Sequence, residues 1–211
     1  MTSEEAEERA FQRLYGPWEP YDPSGVQVLL ADFGRPWWLV GGWAIEAFTG
    51  VARQHEDIDV VIFRKDLPRL RELLGGQFDF WGAGDGALRP LTERWPELHD
   101  AAGQVWLREH ALAPWRLDVI LNEDRDGAWV SRREPAWSAP LGDVTWVDEA
   151  GVRHQLPEIV LQHKARLDRP KDRADLAAAW PLLPPDRQAW LRDAVRRLDP
   201  DHPWLGRLGG G

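Results

Sequence analysis

The sequence contains no cysteine, a single methionine and only three lysines, at positions 65, 164 and 171 of its 211 residues. The absence of cysteine excludes disulfide bonds and thiolate metal sites. No apolar run approaches the roughly 20 residues that a membrane-spanning helix needs, and the acidic N-terminus lacks the apolar core of a signal peptide. We therefore expect a cytoplasmic protein without a membrane partner.

The chain also lacks an excess of positive charge. Its formal net charge is −9, whereas proteins that bind nucleic acid through its backbone rely on clustered lysine and arginine. A nucleic-acid partner is therefore not expected, and an acidic surface favours a small cationic partner. A mass of 24.2 kDa and 43% hydrophobic residues suffice for a buried core. Fourteen tryptophans are many for this length, and we expect most of them in that core.

A double glycine follows a short apolar stretch near the first quarter of the chain. Residues 39–43 read LVGGW, which is typical of a strand that runs into a tight turn and then a helix from Trp43. Glycine lets the backbone approach a ligand closely, and the N–H groups at a helix N-terminus attract anions. Gly41 and Gly42 are therefore candidate phosphate-binding residues.

Two aspartates follow at alternate positions of the next apolar segment, residues 55–60, HEDIDV. On a strand, Asp57 and Asp59 project from one face about 6.6 Å apart along the strand axis. Neighbouring carboxylates repel each other unless a cation bridges them, and hard oxygen ligands suit Mg²⁺. A lone D-x-D is commonly a solvated strand end and a lone Gly-Gly a simple turn. Their combination in this order is more specific and predicts phosphate on glycine and metal on aspartate.

These residues resemble a known enzyme family. Residues 41–46, GGWAIE, followed by residues 53–59, RQHEDID, are similar to the aminoglycoside and lincosamide nucleotidyltransferases of the DNA polymerase beta-like superfamily. The similarity is strong over residues 37–63 and weaker at residues 116–121, RLDVIL. It implies an enzyme that uses an NTP, with ATP as the expected co-substrate, and Mg²⁺, with two ions expected.

The weaker segment carries the position where the family has its third carboxylate, Asp118. The resemblance assigns Asp118 to metal coordination or to general-base catalysis, beside Asp57 and Asp59 as metal ligands. An aspartate within so apolar a strand is also costly unless it is paired or metal-bound. The alternative is a structural aspartate that pairs with the neighbouring Arg116.

A lysine in the C-terminal part is a further candidate. The segment from Lys164 to Leu176 resembles a K…R-x-K-D-x-x-D-L segment of related nucleotidyltransferases. The resemblance implies that Lys164 reaches the β- and γ-phosphates of the nucleotide as a point charge. The alternative is an ordinary i,i+4 ion pair between Lys164 and Asp168.

The pattern of elements predicts an α/β (α+β) fold in two parts. Residues 1–155 are expected to form the catalytic domain, a mixed β-sheet of the nucleotidyltransferase type flanked by helices. Residues 156–211 are expected to form a small helical region, because three segments that begin near prolines have helical apolar spacing. Predicted helices span 2–14, 26–33, 43–49, 66–74, 157–167, 170–183 and 185–198. Predicted strands span 37–40, 57–63, 104–108, 115–121, 129–132, 144–147 and 152–155, with one or two more within 78–91.

The function expected from the resemblance is transfer of NMP from an NTP onto a hydroxyl of a small molecule such as an aminoglycoside-like antibiotic. AMP is the expected group and ATP its expected donor. Acidic residues between 79 and 110 favour a cationic acceptor. The alternative is that the arginines at 89, 94 and 108 neutralise these acids. One alternative keeps the chemistry but makes the chain a toxin that modifies tRNA or protein. Another is a catalytically silent module that binds nucleotide or a partner, which the clustered carboxylates argue against.

Overall fold

The computed structural model describes residues 3–209, with side chains described from residue 9 onward. Contacts divide the chain into two compact units that are discontinuous in sequence. The first unit extends to Trp37 and resumes from His55 to Asp124. The second comprises Trp38–Gln54 and the chain from Arg125 onward. Within residues 3–209, no helix is long and apolar enough to cross a membrane.

The elements follow one another in a mixed order of helices and strands. The helices are α1 (Ser3–Tyr15), α2 (Pro23–Leu29), α3 (Gly41–Thr49), α4 (Leu67–Leu74), α5 (Leu141–Val144), α6 (Pro157–Ala165), α7 (Pro170–Ala179), α8 (Pro185–Leu198) and α9 (Trp204–Arg207). The strands are β1 (Trp37–Leu39), β2 (Asp59–Phe63), β3 (Asp79–Gly84), β4 (Ala87–Pro90), β5 (Gln104–Arg108), β6 (Leu117–Asn122), β7 (Asp124–Arg125), β8 (Ala128–Val130), β9 (Ser138–Ala139), β10 (Thr145–Val147) and β11 (Arg153–Gln155).

The first unit is built on a mixed sheet in the order β2-β6-β5-β3-β4. β2 runs parallel to β6, whereas the remaining neighbours are antiparallel. Val60, Val119 and Val105 form a register row across three strands, and all three are fully or almost fully buried. Side chains alternate between the faces of a strand, so the residues next to these valines along each strand project from the opposite face of the sheet.

The second unit combines a small sheet with a helical core. β11 pairs with β10 in antiparallel fashion and with β1 in parallel fashion, and β8 and β9 form an antiparallel pair. The core is apolar and draws on α3, α6, α7, α8 and α9, with Leu161, Leu191 and Trp204 fully buried. Trp38 is also buried and donates its indole N–H to Gln155 Oε1 at 3.0 Å, so its one polar atom is satisfied.

The predicted mixed α/β fold is confirmed, with local corrections. The strand expected from Asp57 begins only at Asp59, and the helix expected from Trp43 begins already at Gly41. α9 was not expected, because four helical residues are too few to show periodicity. The predicted helix start at Thr2 and the end of the chain, residues 210 and 211, lie outside the described residues. α6–α9 all follow residue 156, while the predicted division into residues 1–155 and 156–211 stays a prediction.

Gly41 is the position at which the backbone turns from β1 into α3. Its φ is +66°, a left-handed conformation that costs an L-residue about 1–2 kcal/mol. We expect Gly41→Ala to lower the free energy of unfolding by about that amount in urea denaturation. Gly42 lies one residue further into α3 and does not have a positive φ, so Gly42→Ala is the matched control. Alanine there is expected to stabilise by about 0.5–1 kcal/mol, and equal effects at both positions would contradict the conformational argument.

Candidate active site

Two of the predicted carboxylates are direct neighbours on the sheet of the first unit. Asp59 is the first residue of β2 and is paired in register with Asp118 of β6. The backbone N–H of Asp118 donates to the carbonyl of Ile58 at 3.2 Å, which holds this end of the ladder together. Neighbouring strands lie about 4.8 Å apart, and residues paired in register face the same side. The register therefore brings the Asp59 and Asp118 carboxylates together on one face.

Asp118 is enclosed by two further side chains of β5. The Gln104 side-chain amide donates to Asp118 Oδ2 at 2.9 Å, and Trp106 is paired in register with Asp118 on the side opposite Asp59. Trp106 belongs to an aromatic cluster, with its ring 5.3 Å from that of Trp18 and 5.5 Å from that of Trp115. Only 8% of the Asp118 surface is exposed. An ionised carboxylate beside so much apolar surface has a high free energy unless a donor or a cation compensates it.

Asp57 occupies a different environment from the other two carboxylates. It lies in the extended segment before β2 and is exposed, whereas Ile58 next to it is fully buried. Burial nevertheless alternates over residues 57–60, where Ile58 and Val60 are buried while Asp57 is exposed and Asp59 partly exposed. The strand itself begins at Asp59, so the pleat alone does not fix the direction of the Asp57 side chain.

The donor chemistry fits a hard cation, and the fit rests on two carboxylates. Asp59 and Asp118 offer the oxygen ligands that Mg²⁺ prefers. No group of three or more histidine, cysteine, aspartate or glutamate side chains within residues 9–209 has the arrangement of a metal site. The structure thus brings together Asp59 and Asp118, and the participation of Asp57 stays a prediction.

The ion pair between Asp118 and Arg116, the structural alternative to a catalytic role of Asp118, is not observed in the described part of the chain. The Arg116 guanidinium instead contacts Glu109 at 3.2 Å and Glu19 at 3.5 Å. Side chains two apart share a face only within a strand. Arg116 precedes the first residue of β6, so the strand does not fix its side chain on the face of Asp118. The amide of Gln104, not a guanidinium, is the observed donor to Asp118.

The glycine turn belongs to the second unit. Gly41 and Gly42 are the first two residues of α3, and Val40 before them has an extended backbone without a side-chain cap. A helix start of this kind leaves backbone N–H groups available, and anions are favoured there by the helix dipole. The predicted role of this turn in phosphate binding stays a prediction.

Lys164 is held in an ionic network within the second unit. Its ammonium lies 3.2 Å from Asp172 Oδ1 and 2.8 Å from Asp175 Oδ2, rather than beside Asp168. All three side chains are at least nine-tenths buried. Asp175 also accepts from the Arg53 guanidinium at 3.0 and 3.3 Å. Burial raises the pKa of Asp172, but Arg169 and Lys164 lower it by more, so that the pKa lies below its ordinary value. The predicted contact of Lys164 with phosphate stays a prediction.

Sequence reasoning missed the partners that surround these predicted residues. Gln104 and Trp106 lie more than ten residues from Asp118, and only the antiparallel pairing of β5 with β6 brings them beside it. The link from Arg53 to Asp175 spans 122 positions. The only signal in the sequence was the presence of Asp172 and Asp175 shortly after Lys164. Two consecutive helices can bring such residues into contact.

Replacing the buried lysine tests the ionic network. Lys164→Met removes the charge between two buried carboxylates, and we expect a loss of about 3 kcal/mol in the free energy of unfolding, measured in urea. Lys65→Met is the matched control, since Lys65 is half-exposed and pairs with Asp124 at 2.6 Å. An exposed pair contributes less than about 1 kcal/mol. Equal losses in the two variants would show that the network is not a buried ionic cluster.

Comparisons with known proteins show what part of this chain is similar to a known family. The family model of aminoglycoside-2″-adenylyltransferase matches residues 25–77, about a quarter of the chain. This segment contains Gly41, Gly42, Asp57 and Asp59, and ends before Asp118. No curated protein matches the sequence significantly.

Solved structures extend the similarity beyond that segment. The crystal structure of ANT(2″)-Ia in complex with adenylyl-2″-tobramycin has a TM-score of 0.55 and 19% identity, covering 82% of this chain and 94% of that chain. The solution structure of ANT(2″)-Ia has a TM-score of 0.53 and 20% identity, covering 82% and 88%. A lincomycin-bound lincosamide adenylyltransferase, LnuA, has a TM-score of 0.49 and 17% identity, covering 72% and 90%.

The family model matches one segment of the chain, and the fold as a whole is similar to that of ANT(2″)-Ia. The glycine turn and the aspartate strand lie inside the matched segment. The resemblance of this chain to the aminoglycoside and lincosamide nucleotidyltransferases is thereby confirmed, and its fold is similar to that of ANT(2″)-Ia.

Proposed function

We propose that this protein is a Mg²⁺-dependent nucleotidyltransferase that moves NMP from an NTP, with ATP as the expected donor, onto a hydroxyl of a small-molecule antibiotic. The observation that carries the proposal is the register pairing of Asp59 with Asp118, which holds two carboxylates on one face of the sheet. The match of residues 25–77 to the adenylyltransferase family supports the same chemistry.

The reaction forms one bond and breaks one. The acceptor hydroxyl oxygen attacks the α-phosphorus in line, the bond from that phosphorus to the bridging oxygen breaks, and pyrophosphate leaves. Asp59, Asp118 and Asp57 would hold Mg²⁺, which would supply charge neutralisation and lower the pKa of the attacking hydroxyl. Asp118, oriented by Gln104, would either complete this coordination or take the hydroxyl proton as a general base. The nearby indole of Trp106 reduces the water around this carboxylate.

The phosphates are assigned to the glycine turn. The backbone of Gly41 and Gly42 at the start of α3 offers N–H donors and approaches an anion without side-chain obstruction. The resemblance also assigns Lys164 to the β- and γ-phosphates. That role requires its ammonium to exchange a carboxylate of Asp172 or Asp175 for a phosphate oxygen.

An aminoglycoside-like acceptor is proposed from charge and from the comparisons. Acidic side chains between residues 79 and 109 are exposed and able to meet ammonium groups; they are Asp79, Asp85, Glu93, Glu97, Asp100 and Glu109. Glu109 is already paired with Arg116, whereas the Arg89 guanidinium donates to the carbonyl of Glu97 and not to its carboxylate. The solved structure similar to this chain is a complex with adenylyl-2″-tobramycin.

Substitution of the paired carboxylates tests the catalytic proposal. We expect Asp118→Asn to reduce turnover about 100-fold or more while NTP binding is largely kept, because the amide neither takes a proton nor balances a cation. Asp32→Asn, at an exposed aspartate of the same unit, is the control and should leave turnover unchanged. Near-normal turnover in Asp118→Asn would leave Asp118 with a structural role only.

Thermal unfolding with Mg²⁺ and NTP tests the metal assignment separately. A ligand that binds only the folded state raises the melting temperature by mass action. The double substitution Asp57→Asn with Asp59→Asn should abolish the Mg²⁺-dependent part of that rise with the fold intact. A rise of unchanged size would exclude these carboxylates as the metal ligands.

Product analysis tests the acceptor. We expect incubation with labelled ATP, Mg²⁺ and a panel of aminoglycosides, lincosamides and tRNA to yield an aminoglycoside that carries AMP, identified by mass spectrometry. Binding of the aminoglycoside should be saturable and should weaken with added salt, because it depends on exposed charges. Label found only on tRNA or on protein would instead identify a toxin-type nucleotidyltransferase.

A further inference from the structure

One arginine of the first unit is held by aromatic rings and not by a carboxylate. The Arg108 guanidinium carbon lies 4.4 Å from the centroid of the Trp81 ring and 4.1 Å from that of the Trp115 ring. Its Nε is buried and has no hydrogen-bond partner among the described atoms, and its guanidinium makes no ion pair with the side chains of residues 9–209. The two indoles therefore fix the position of a guanidinium whose Nε–H has no acceptor.

Strand register places Arg108 on the sheet face that carries the paired carboxylates. Trp106 of β5 is paired with Asp118 of β6, and Arg108 follows Trp106 by two residues on the same strand. Residues two apart share a face and lie about 6.8 Å apart along a strand, and neighbouring strands lie about 4.8 Å apart. The Cα atoms of Arg108 and Asp118 are therefore about 8 Å apart. Both residues belong to the first unit, and a substrate ring with its substituents spans such a distance.

A carboxylate lies beside Arg108 without forming an ion pair with it. Asp79 of β3 is paired in register with Arg108 and therefore shares its face of the sheet. Asp79 is exposed and makes no ion pair with the side chains of residues 9–209. Burial lowers the pKa of the Arg108 guanidinium, and the nearby charge of Asp79 offsets part of this decrease. A hydrogen-bond donor and a hydrogen-bond acceptor thus lie side by side, and neither neutralises the other by direct contact.

Two indole N–H groups on the same face lack acceptors as well. Trp81 is paired in register with Trp106, and Nε1 of each is buried without a hydrogen-bond partner among the described atoms. Only 9% of the Trp106 surface is exposed, whereas Trp81 is half-buried. A buried donor without an acceptor costs free energy, which an oxygen atom of a ligand would recover. The strip from Trp106 to Arg108 is therefore rich in unused donors.

A hydroxyl group is the ligand that suits Asp79 and Arg108 together. A hydroxyl oxygen accepts a hydrogen bond from a guanidinium, and its proton is donated to a carboxylate. An ammonium group only donates, so it would meet Asp79 but be repelled by Arg108. A carboxylate or a phosphate group only accepts, so it would meet Arg108 but be repelled by Asp79. The pair of opposite charges therefore favours a neutral hydroxyl group over either kind of ion.

We propose that Asp79, Arg108 and the neighbouring indole N–H groups form a subsite that binds hydroxyl groups of the acceptor. This inference rests on the proposed function for the identity of the ligand as an acceptor of NMP. It makes Asp79 and Arg108 specificity-determining residues, because the part of the acceptor that lies between Asp118 and Arg108 carries hydroxyl groups and no ammonium group. Among the acidic residues assigned to the acceptor, Asp79 thus receives a hydroxyl group, and ammonium groups are bound by the others.

Binding of three matched sugars tests the subsite without any transfer reaction. Methyl glucoside is neutral, methyl glucosaminide carries an ammonium group in place of one hydroxyl, and methyl glucuronide carries a carboxylate. Saturation-transfer difference NMR on the full chain, without metal or nucleotide, should show that methyl glucoside binds at least about tenfold more tightly than either charged sugar. Arg108→Gln and Asp79→Asn should each weaken the binding of methyl glucoside about tenfold, because each removes a hydrogen bond to a charged group.

Arg94→Gln is the matched control, because Arg94 also lies over a tryptophan ring, that of Trp95, at 5.0 Å in the same unit. Arg94 is exposed and lies outside the strands, so this variant should bind all three sugars as the unsubstituted protein does. Thermal unfolding shows whether each variant keeps its fold. Asp79→Asn changes an exposed side chain and keeps the test decisive if Arg108→Gln is destabilised.

The order of the sugars separates recognition from a structural role. Arg108→Gln removes the repulsion of the ammonium group and should raise the affinity for methyl glucosaminide relative to methyl glucoside. Asp79→Asn should do the same for methyl glucuronide, because it removes the repulsion of the carboxylate. Equal binding of the three sugars, an order that neither variant changes, or no saturable binding of methyl glucoside by the unsubstituted protein would overturn the subsite.

The failure of the subsite and the failure of the proposed function give different results. If the protein transfers AMP and the KM for the acceptor is unchanged in Arg108→Gln and Asp79→Asn, the subsite is wrong and the proposed function stands. If the two variants change sugar binding as expected but no acceptor receives AMP, the hydroxyl-binding site stands and the proposed function is wrong. A raised KM for the acceptor with an unchanged KM for ATP supports both.

Discussion

The parallel pairing of β2 with β6 is the interaction on which the candidate site of the first unit depends. It places Asp59 beside Asp118, an arrangement that electrostatic repulsion alone disfavours. The opposite face compensates, because Val60, Val119 and Val105 are buried there, each contributing about 1.5–3 kcal/mol. A slip of one residue in the pairing would turn the aspartates into the core and the valines out of it. The apolar face thus enforces the register that keeps two carboxylates together.

The surroundings of Asp118 differ on its two sides. Asp59 lies on one side, and the aromatic cluster that contains Trp106 and Trp115 lies on the other. Gln104 donates to Oδ2 and restricts the orientation of the carboxylate. A carboxylate that is oriented by an amide and shielded from water by indoles interacts more strongly with a cation than a solvated one does. Trp106 and Trp115 therefore lower the local dielectric constant around Asp118.

The second unit contrasts compensated and uncompensated charge. Around Lys164, two buried aspartates meet one lysine and two arginines, so that each ionised group has a partner of opposite sign. Around Arg133, like charges adjoin one another and a buried donor has no acceptor among the described atoms. Removal of one partner from the first arrangement would leave an unpaired buried charge, whereas the second arrangement already carries the cost of a buried donor without an acceptor.

The sequence by itself determined the local features. The glycine turn at Gly41, the Asp57–Asp59 spacing and most helices and strands follow from short-range patterns that backbone geometry makes readable. The start of β2 at Asp59 and the short helix α9 did not follow, because element ends depend on hydrogen bonds to distant strands and on packing.

Only the tertiary structure decided the partners of the charged groups. The pairing of Asp59 with Asp118, the donor Gln104, the burial of Lys164 between Asp172 and Asp175 and the unpaired state of Arg133 all depend on contacts between distant segments. The sequence does not show whether a charged side chain has a partner of opposite charge. Its energy is set by the burial and the neighbours that folding supplies, and these long-range contacts leave no periodic signal in the chain.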